Sequence, residues 1–117
     1  MRPIKRLGGN AINARVVMHG GVAYLSGIVA DDKTQDTAGQ TRQILARIDG
    51  HLADAGTSKY RLLSAVVYLS DMTKKDEMNA VWSAWIDGAN PPARACVGVE
   101  LASKSTLVEI MVTAAID

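Results

Sequence analysis

Phenylalanine is absent from this 117-residue chain, cysteine occurs once, and aromatic residues make up only 4% of it. A lone Cys96 excludes an intrachain disulfide and a cysteine-rich metal knuckle. Long apolar runs are missing as well. The longest nearly apolar stretch, Leu62 to Leu69, contains Ser64 and is far too short to cross a bilayer as a helix. No apolar segment follows the basic start Met1-Arg2-Pro3-Ile4-Lys5-Arg6, so a secretory signal is not expected and the cytoplasm is the default address. Neither sign of charge dominates. Thirteen Lys and Arg against twelve Asp and Glu leave a formal +1, and the signs are interspersed, so no long-range field favours nucleic acid or an anionic membrane.

What is present is a mixture of 48% hydrophobic and 21% charged residues, too apolar for a disordered chain. No repeat, low-complexity tract or linker interrupts it, so residues 1–117 read as one domain. A chain of this size buries roughly two-thirds of the surface its unfolded form exposes.

The organisation lies in the change of period. Ile4 to Leu7 is a short extended segment ended by Gly8-Gly9-Asn10. Val16 to His19, Gly20-Gly21 and Val22 to Val29 read as a hairpin, because paired glycines between β-branched runs supply positive φ without a Cβ penalty. In its second arm Val22, Tyr24, Ser26 and Ile28 share one face and Ala23, Leu25, Gly27 and Val29 the other, both largely apolar, as in a strand covered on two sides.

After Asp31-Asp32 the period shifts. Thr41, Ile44, Leu45, Ile48, Leu52 and Ala55 recur at three and four, the stripe of an amphipathic helix from Ala38 to a stop at Gly56, with Gln40, Arg42, Gln43, Arg47 and Asp49 mostly off it. Arg61 to Leu69 is dense in Val, Leu and Tyr and reads as a central strand. Thr73 with Asp76 can cap a second helix, with Asp71 as a rival cap; Met78, Val81, Trp82, Trp85 and Ile86 form its stripe, and Gly88 before Pro91-Pro92 ends it. Arg94 to Val99 and Leu107 to Ile116 are the last strands, joined through Ser103-Lys104-Ser105. The order β-β-β-α-β-α-β-β predicts an α+β fold, a mixed sheet with two helices on one face. Its other face would present Glu109, Arg94 and apolar neighbours, and so predicts self-association.

Two groups stand out chemically. Arg94 at the mouth of a strand can grip a planar carboxylate through two parallel N–H···O bonds. Glu109, a carboxylate within an apolar strand, can accept or return a proton near neutrality. Together they suit a small organic acid whose reacting carbon adjoins its carboxylate. An internal salt bridge, or an arginine facing solvent, is the plainer account from residue types alone. Cys96 emerges on the same face as Arg94 and reads as an inert small hydrophobe. His19 and His51 have no metal-ligand spacing, no glycine pair makes a phosphate loop, and Ser26-Gly27 lacks the frame of a nucleophile elbow. Trp82 and Trp85 read as core filling.

The segment Pro91-Pro92-Ala93-Arg94-Ala95-Cys96-Val97, with Leu107-Val108-Glu109-Ile110 after it, resembles the signature region of the reactive-intermediate deaminase family, also called YjgF/YER057c/UK114 and endoribonuclease L-PSP-like. Ala23-Tyr24-Leu25-Ser26-Gly27, Thr41-Arg42-Gln43-Ile44-Leu45, Val67-Tyr68-Leu69-Ser70-Asp71-Met72 and Met78-Asn79-Ala80-Val81-Trp82 extend the resemblance over nearly the whole chain. It implies a chorismate-mutase-like fold assembled as a homotrimer with clefts between subunits. It implies cofactor-independent hydrolysis of small 2-imino or enamine acids to 2-keto acids and ammonia. Arg94 would bind the substrate carboxylate and Glu109 would activate water, while Gly27, Asn79 and Cys96 would shape the cleft. Family members that act on the usual substrates carry a Tyr where counting back from Gly27 puts Asn13, and many carry a second acid where this chain has Met111. A non-catalytic trimer that binds small carboxylates or keto acids is the alternative reading, and RNA cleavage is disfavoured by the balanced charge.

Overall fold

The computed structural model describes residues 2–117; Met1, the first residue of the expected domain, lies outside them. Seven strands form one mixed sheet: β1 (Lys5–Leu7), β2 (Val16–His19), β3 (Val22–Leu25), β4 (Ile28–Val29), β5 (Leu62–Leu69), β6 (Ala93–Gly98) and β7 (Val108–Ala115). Their spatial order is β1-β2-β3-β7-β5-β6, with β4 also paired to β7. Helices α1 (Thr37–Asp54) and α2 (Lys75–Trp85) pack together on one face, as expected. Among the described residues only β5 and β6 run parallel, which follows from the α2 crossover between them.

The local chemistry explains most boundaries. Gly20 and Gly21 have φ of 60° and 81° and close the β2–β3 hairpin. Asp36 caps α1 by accepting the Gly39 N–H at 2.8 Å. At the other end Gly56, at φ 79°, donates to Ala53 while Thr57 donates to Leu52, a Schellman closure at the expected stop. Thr41, Ile44, Leu45, Ile48 and Leu52 are buried. Along β7 the sides alternate as expected: Val108, Ile110, Val112 and Ala114 face the core beneath the helices.

Four expectations need correction. The second hairpin arm is not one strand but two, because Ser26-Gly27 interrupts it. Tyr24 pairs with Thr113 and Ile28 with Ile110, so four steps on one strand match three on β7, a bulge that exchanges the faces beyond it. Ala23 and Leu25 are buried before the bulge, and Ile28 and Ala30 after it; Tyr24 stays 46% exposed, so in the single chain this arm is covered on one side only. The turn before α2 is capped by Asp71, which accepts from the Thr73 N–H and hydroxyl at 2.9 and 2.7 Å, and Thr73 caps nothing. Helix α2 stops at Trp85, three residues before Gly88, and only Met78 and Trp82 of its stripe are buried. Finally, Gln40 lies on the buried side of α1, not off it. Its amide donates to Ser105 O at 2.9 Å and Gln35 O at 3.0 Å, and its oxygen accepts from Leu107 N–H at 3.0 Å. That brace ties the start of α1 to the loop leading into β7.

Candidate functional site

Side-chain direction along paired strands fixes where the candidate groups point. Glu109 pairs with Tyr68 on β5, and Tyr68 pairs in turn with Val97 on β6. These three share the face that the helices leave open, together with Met111 and Thr113. Arg94 instead pairs with Ala65, which pairs with Val112, and Cys96 pairs with Val67, which pairs with Ile110. Ala65, Val67, Ile110 and Val112 are all core residues beneath the helices. Within one chain Arg94 and Glu109 therefore lie on opposite faces of the sheet, which corrects the expectation that both stand on the face the helices leave open: the register of β6 on β5 turns Arg94 toward α2. Among the described residues no salt bridge forms between them.

Each group has its own surroundings. On the open face Glu109 stands against Gly27: a Cβ at residue 27 would collide with Glu109 Oε2 and lie 3.0 Å from its Cδ. The bulge at Ser26-Gly27 thus brings bare backbone against the carboxylate, where a side chain would fit only if Glu109 moved. Ser26 is itself held from the preceding segment, since its N–H donates to Arg15 O and its hydroxyl accepts from Arg15 Nη1, both at 3.0 Å.

Arg94 lies on the edge strand β6, half-buried, with its Cζ over the Trp82 ring 5.0 Å from the centroid and its Nη1 3.9 Å from Met78 Sδ. It is not a solvent-facing arginine, and among the described residues it forms no ion pair. Cys96 follows on the same side, partly buried against the core, as its spacing from Arg94 predicts. Asn79 is partly buried on α2 next to Met78. Arg94 and Cys96 thus belong to one half, and Glu109 with Gly27 to the other.

Asn13 is exposed in the loop between β1 and β2. Its N–H donates to Asn10 Oδ1 at 3.2 Å and its carbonyl accepts from Asn10 N–H at 2.8 Å, so its backbone serves the turn. The neighbouring Ile12 is 92% exposed.

Among the described residues no group of three or more His, Cys, Asp and Glu is placed to hold a metal ion, and no helix is long and apolar enough to cross a membrane. A groove of about 570 Å³ runs between α1 and α2, lined in part by Leu45, Val81 and Trp85, and contains none of the candidate residues. His51, near the end of α1, has a pKa lowered from 6.5, chiefly by burial and then by the nearby Arg15 and Arg47 cations.

Sequence reasoning missed two participants. Trp82 was legible as core filling, and it is 7% exposed, but its second role under Arg94 depends on the β5–β6 register. Met78 sits beside it for the same reason.

The family model described as "Endoribonuclease L-PSP" matches residues 6–116. A RutC family protein of Haemophilus ducreyi is 41% identical over 104 residues, covering 89% of each chain. Another from Haemophilus influenzae is 35% identical over 112 residues, covering 95% of this chain and 97% of the relative. Among solved structures, a YjgF family member from Neisseria meningitidis superposes with a TM-score of 0.95 at 40% identity, covering 98% of this chain and 96% of that one. An uncharacterized protein from Pseudomonas aeruginosa gives 0.94 at 35% identity, with 98% and 100% covered. Matching strand order, helices on one face and similarity from end to end lead to one assignment: this chain belongs to the reactive-intermediate deaminase (YjgF/UK114) family, the family of the endoribonuclease L-PSP description.

Proposed function

We propose that the protein hydrolyses small 2-imino and enamine acids to 2-keto acids and ammonia, as a cytoplasmic homotrimer whose clefts lie between protomers. Family membership supports a general deaminase role. The observation that carries the finer reading is the separation of Arg94 and Glu109 on opposite faces of one sheet.

Two groups that must act on one small substrate, yet point apart in one chain, can meet only across a subunit boundary. The half with Arg94 sits on β6, an edge strand paired on one side only. The half with Glu109 sits on the open face, beside the 43%-exposed Met111. Joining an edge of one protomer to the face of the next is a heterologous contact, and such contacts form a ring when the rotation between protomers closes, as it does in a trimer. It would also cover the apolar open face.

In that cleft the Arg94 fork holds the substrate carboxylate, which places the adjacent imine carbon before Glu109 of the neighbouring protomer. Glu109 orients a water and takes a proton from it as oxygen adds to the carbon of the protonated imine. The carbinolamine so formed expels ammonia after proton return to nitrogen, leaving the 2-keto acid. Overall, the imino acid and one water give the keto acid and ammonia. The carbon is already electrophilic once the imine is protonated, so positioning and one carboxylate suffice. Gly27 leaves room at the carboxylate, Cys96 offers backbone near the carboxylate clamp, and Asn79 lines that half. Asn13 stands on the loop tied through Arg15 to the bulge.

The test supplies 2-iminobutanoate by continuous generation from an amino-acid dehydratase and follows loss of the imine absorbance. Wild-type protein should speed the loss and Arg94→Ala should return it to near background. Equal rates with and without wild-type protein, for several 2-imino acids, would overturn the enzymatic reading.

A further inference from the structure

We infer that Trp82 is the positioning residue for Arg94: its indole face holds the guanidinium while leaving the carboxylate-binding edge unoccupied. The inference rests on the reading of Arg94 as the carboxylate clamp and adds a residue to it.

An arginine on an edge strand has four rotatable side-chain bonds and a loss of freedom to offset when it is fixed. The usual device for fixing it is a carboxylate partner, but a carboxylate would occupy the same N–H fork that the substrate needs. The structure uses another device. Arg94 Cζ lies over the Trp82 ring at 5.0 Å from the centroid, within cation–π range. A π face attracts the cation without accepting its in-plane N–H groups. Nη1 faces only the weak acceptor Met78 Sδ at 3.9 Å. Nη2 and Nε have no protein partner among the described residues.

Trp82 is itself immobile. It is 7% exposed, sits in the core cluster, and packs against Trp85 with ring centroids 5.6 Å apart at 56°. Met78 is fully buried one helical turn away. The platform is therefore built from α2 and the guanidinium from β6, and the β5–β6 register sets how they meet. A charge kept in place but not neutralised is prepared for an anion.

The experiment has two arms on the full-length protein. In the first, Arg94 side-chain resonances are read by NMR. Ring current from Trp82 should shift the Arg94 δ-protons upfield in the unmutated protein, and Trp82→Leu should remove that shift. Random-coil positions in the unmutated protein would overturn the inference, even if the leucine variant failed to fold. In the second, calorimetry measures 2-oxobutanoate as a carboxylate probe. Trp82→Leu should weaken its Kd by about tenfold, and Trp82→Phe, which keeps a π face, should stay within about threefold. In turnover the loss should fall on KM with kcat nearly unchanged. An unaltered Kd in a folded leucine variant would also overturn the inference. Absence of 2-oxobutanoate binding by wild type, with the ring-current shift present, would instead sink the clamp reading and leave the platform standing.

Discussion

Gly27→Ala isolates the contact on which the Glu109 half depends. An added methyl would overlap Glu109 Oε2 and lie 3.0 Å from Cδ and 3.3 Å from Cγ. The tightest overlap is with Oε2 itself, and non-bonded heavy atoms settle at about 3.5 Å, so the carboxylate must retreat by roughly an ångström or more. Backbone strain does not enter, because Gly27 is not among the positive-φ glycines. The glutamate can yield by leaving its preferred rotamer at a cost of about 0.5–1.5 kcal/mol, small against the roughly 5–15 kcal/mol that holds a domain folded. Rate is far more sensitive, since misplacing a reacting group by about 1 Å costs on the order of 100-fold. The expected result is a kcat reduced about 100-fold in the imine assay, with urea midpoint and assembly mass close to wild type. A fully active Gly27→Ala enzyme would refute the assignment of Glu109 as the group that acts on water.

Two other outcomes concern the fold. Gln40→Leu strands the Leu107 N–H and removes the donor to Ser105 O, and should cost about 2–3 kcal/mol by urea unfolding. His51 is held below its ordinary 6.5, so the folded state resists its protonation; its contribution is complete above pH 6.5 and is lost as pH falls toward the depressed folded value. The urea midpoint should therefore decline on acidification from pH 7.5 to 5.5, and His51→Gln should flatten that slope.

The parts of the fold that were legible in sequence are those decided by near neighbours. Gly20-Gly21 fixes a turn by its own backbone freedom, and the stripe Thr41 to Leu52 declares its buried side by period alone. Asp71 against Thr73 was not decidable, because either residue type can cap and only the helical register chooses. The bulge at Ser26-Gly27 was hidden for a different reason. What favours a glycine there is the present position of Glu109, far along the chain, and no local pattern carries that preference. Gln40 misled similarly, since a polar residue reads as solvent-facing until its partners at 105 and 107 are known.

The site divides in the same way. Arg94 and Cys96 sharing a face follows from a spacing of two within one strand. Whether Arg94 and Glu109 share a face depends on the register of β6 on β5 and of β5 on β7, and two-residue alternation says nothing across strands. Their opposition is the feature that turns a pair of suggestive residues into a statement about assembly.

That statement is tested most directly by complementation. Arg94→Ala and Glu109→Ala chains, each inactive as a pure assembly, are produced together so that they mix within one oligomer. If each cleft takes Arg94 from one protomer and Glu109 from its neighbour, random mixing restores about a quarter of the clefts, and about a quarter of wild-type deaminase activity should return. Activity that stays at the background of the two pure variants, in oligomers shown by mass to contain both chains, would contradict the account.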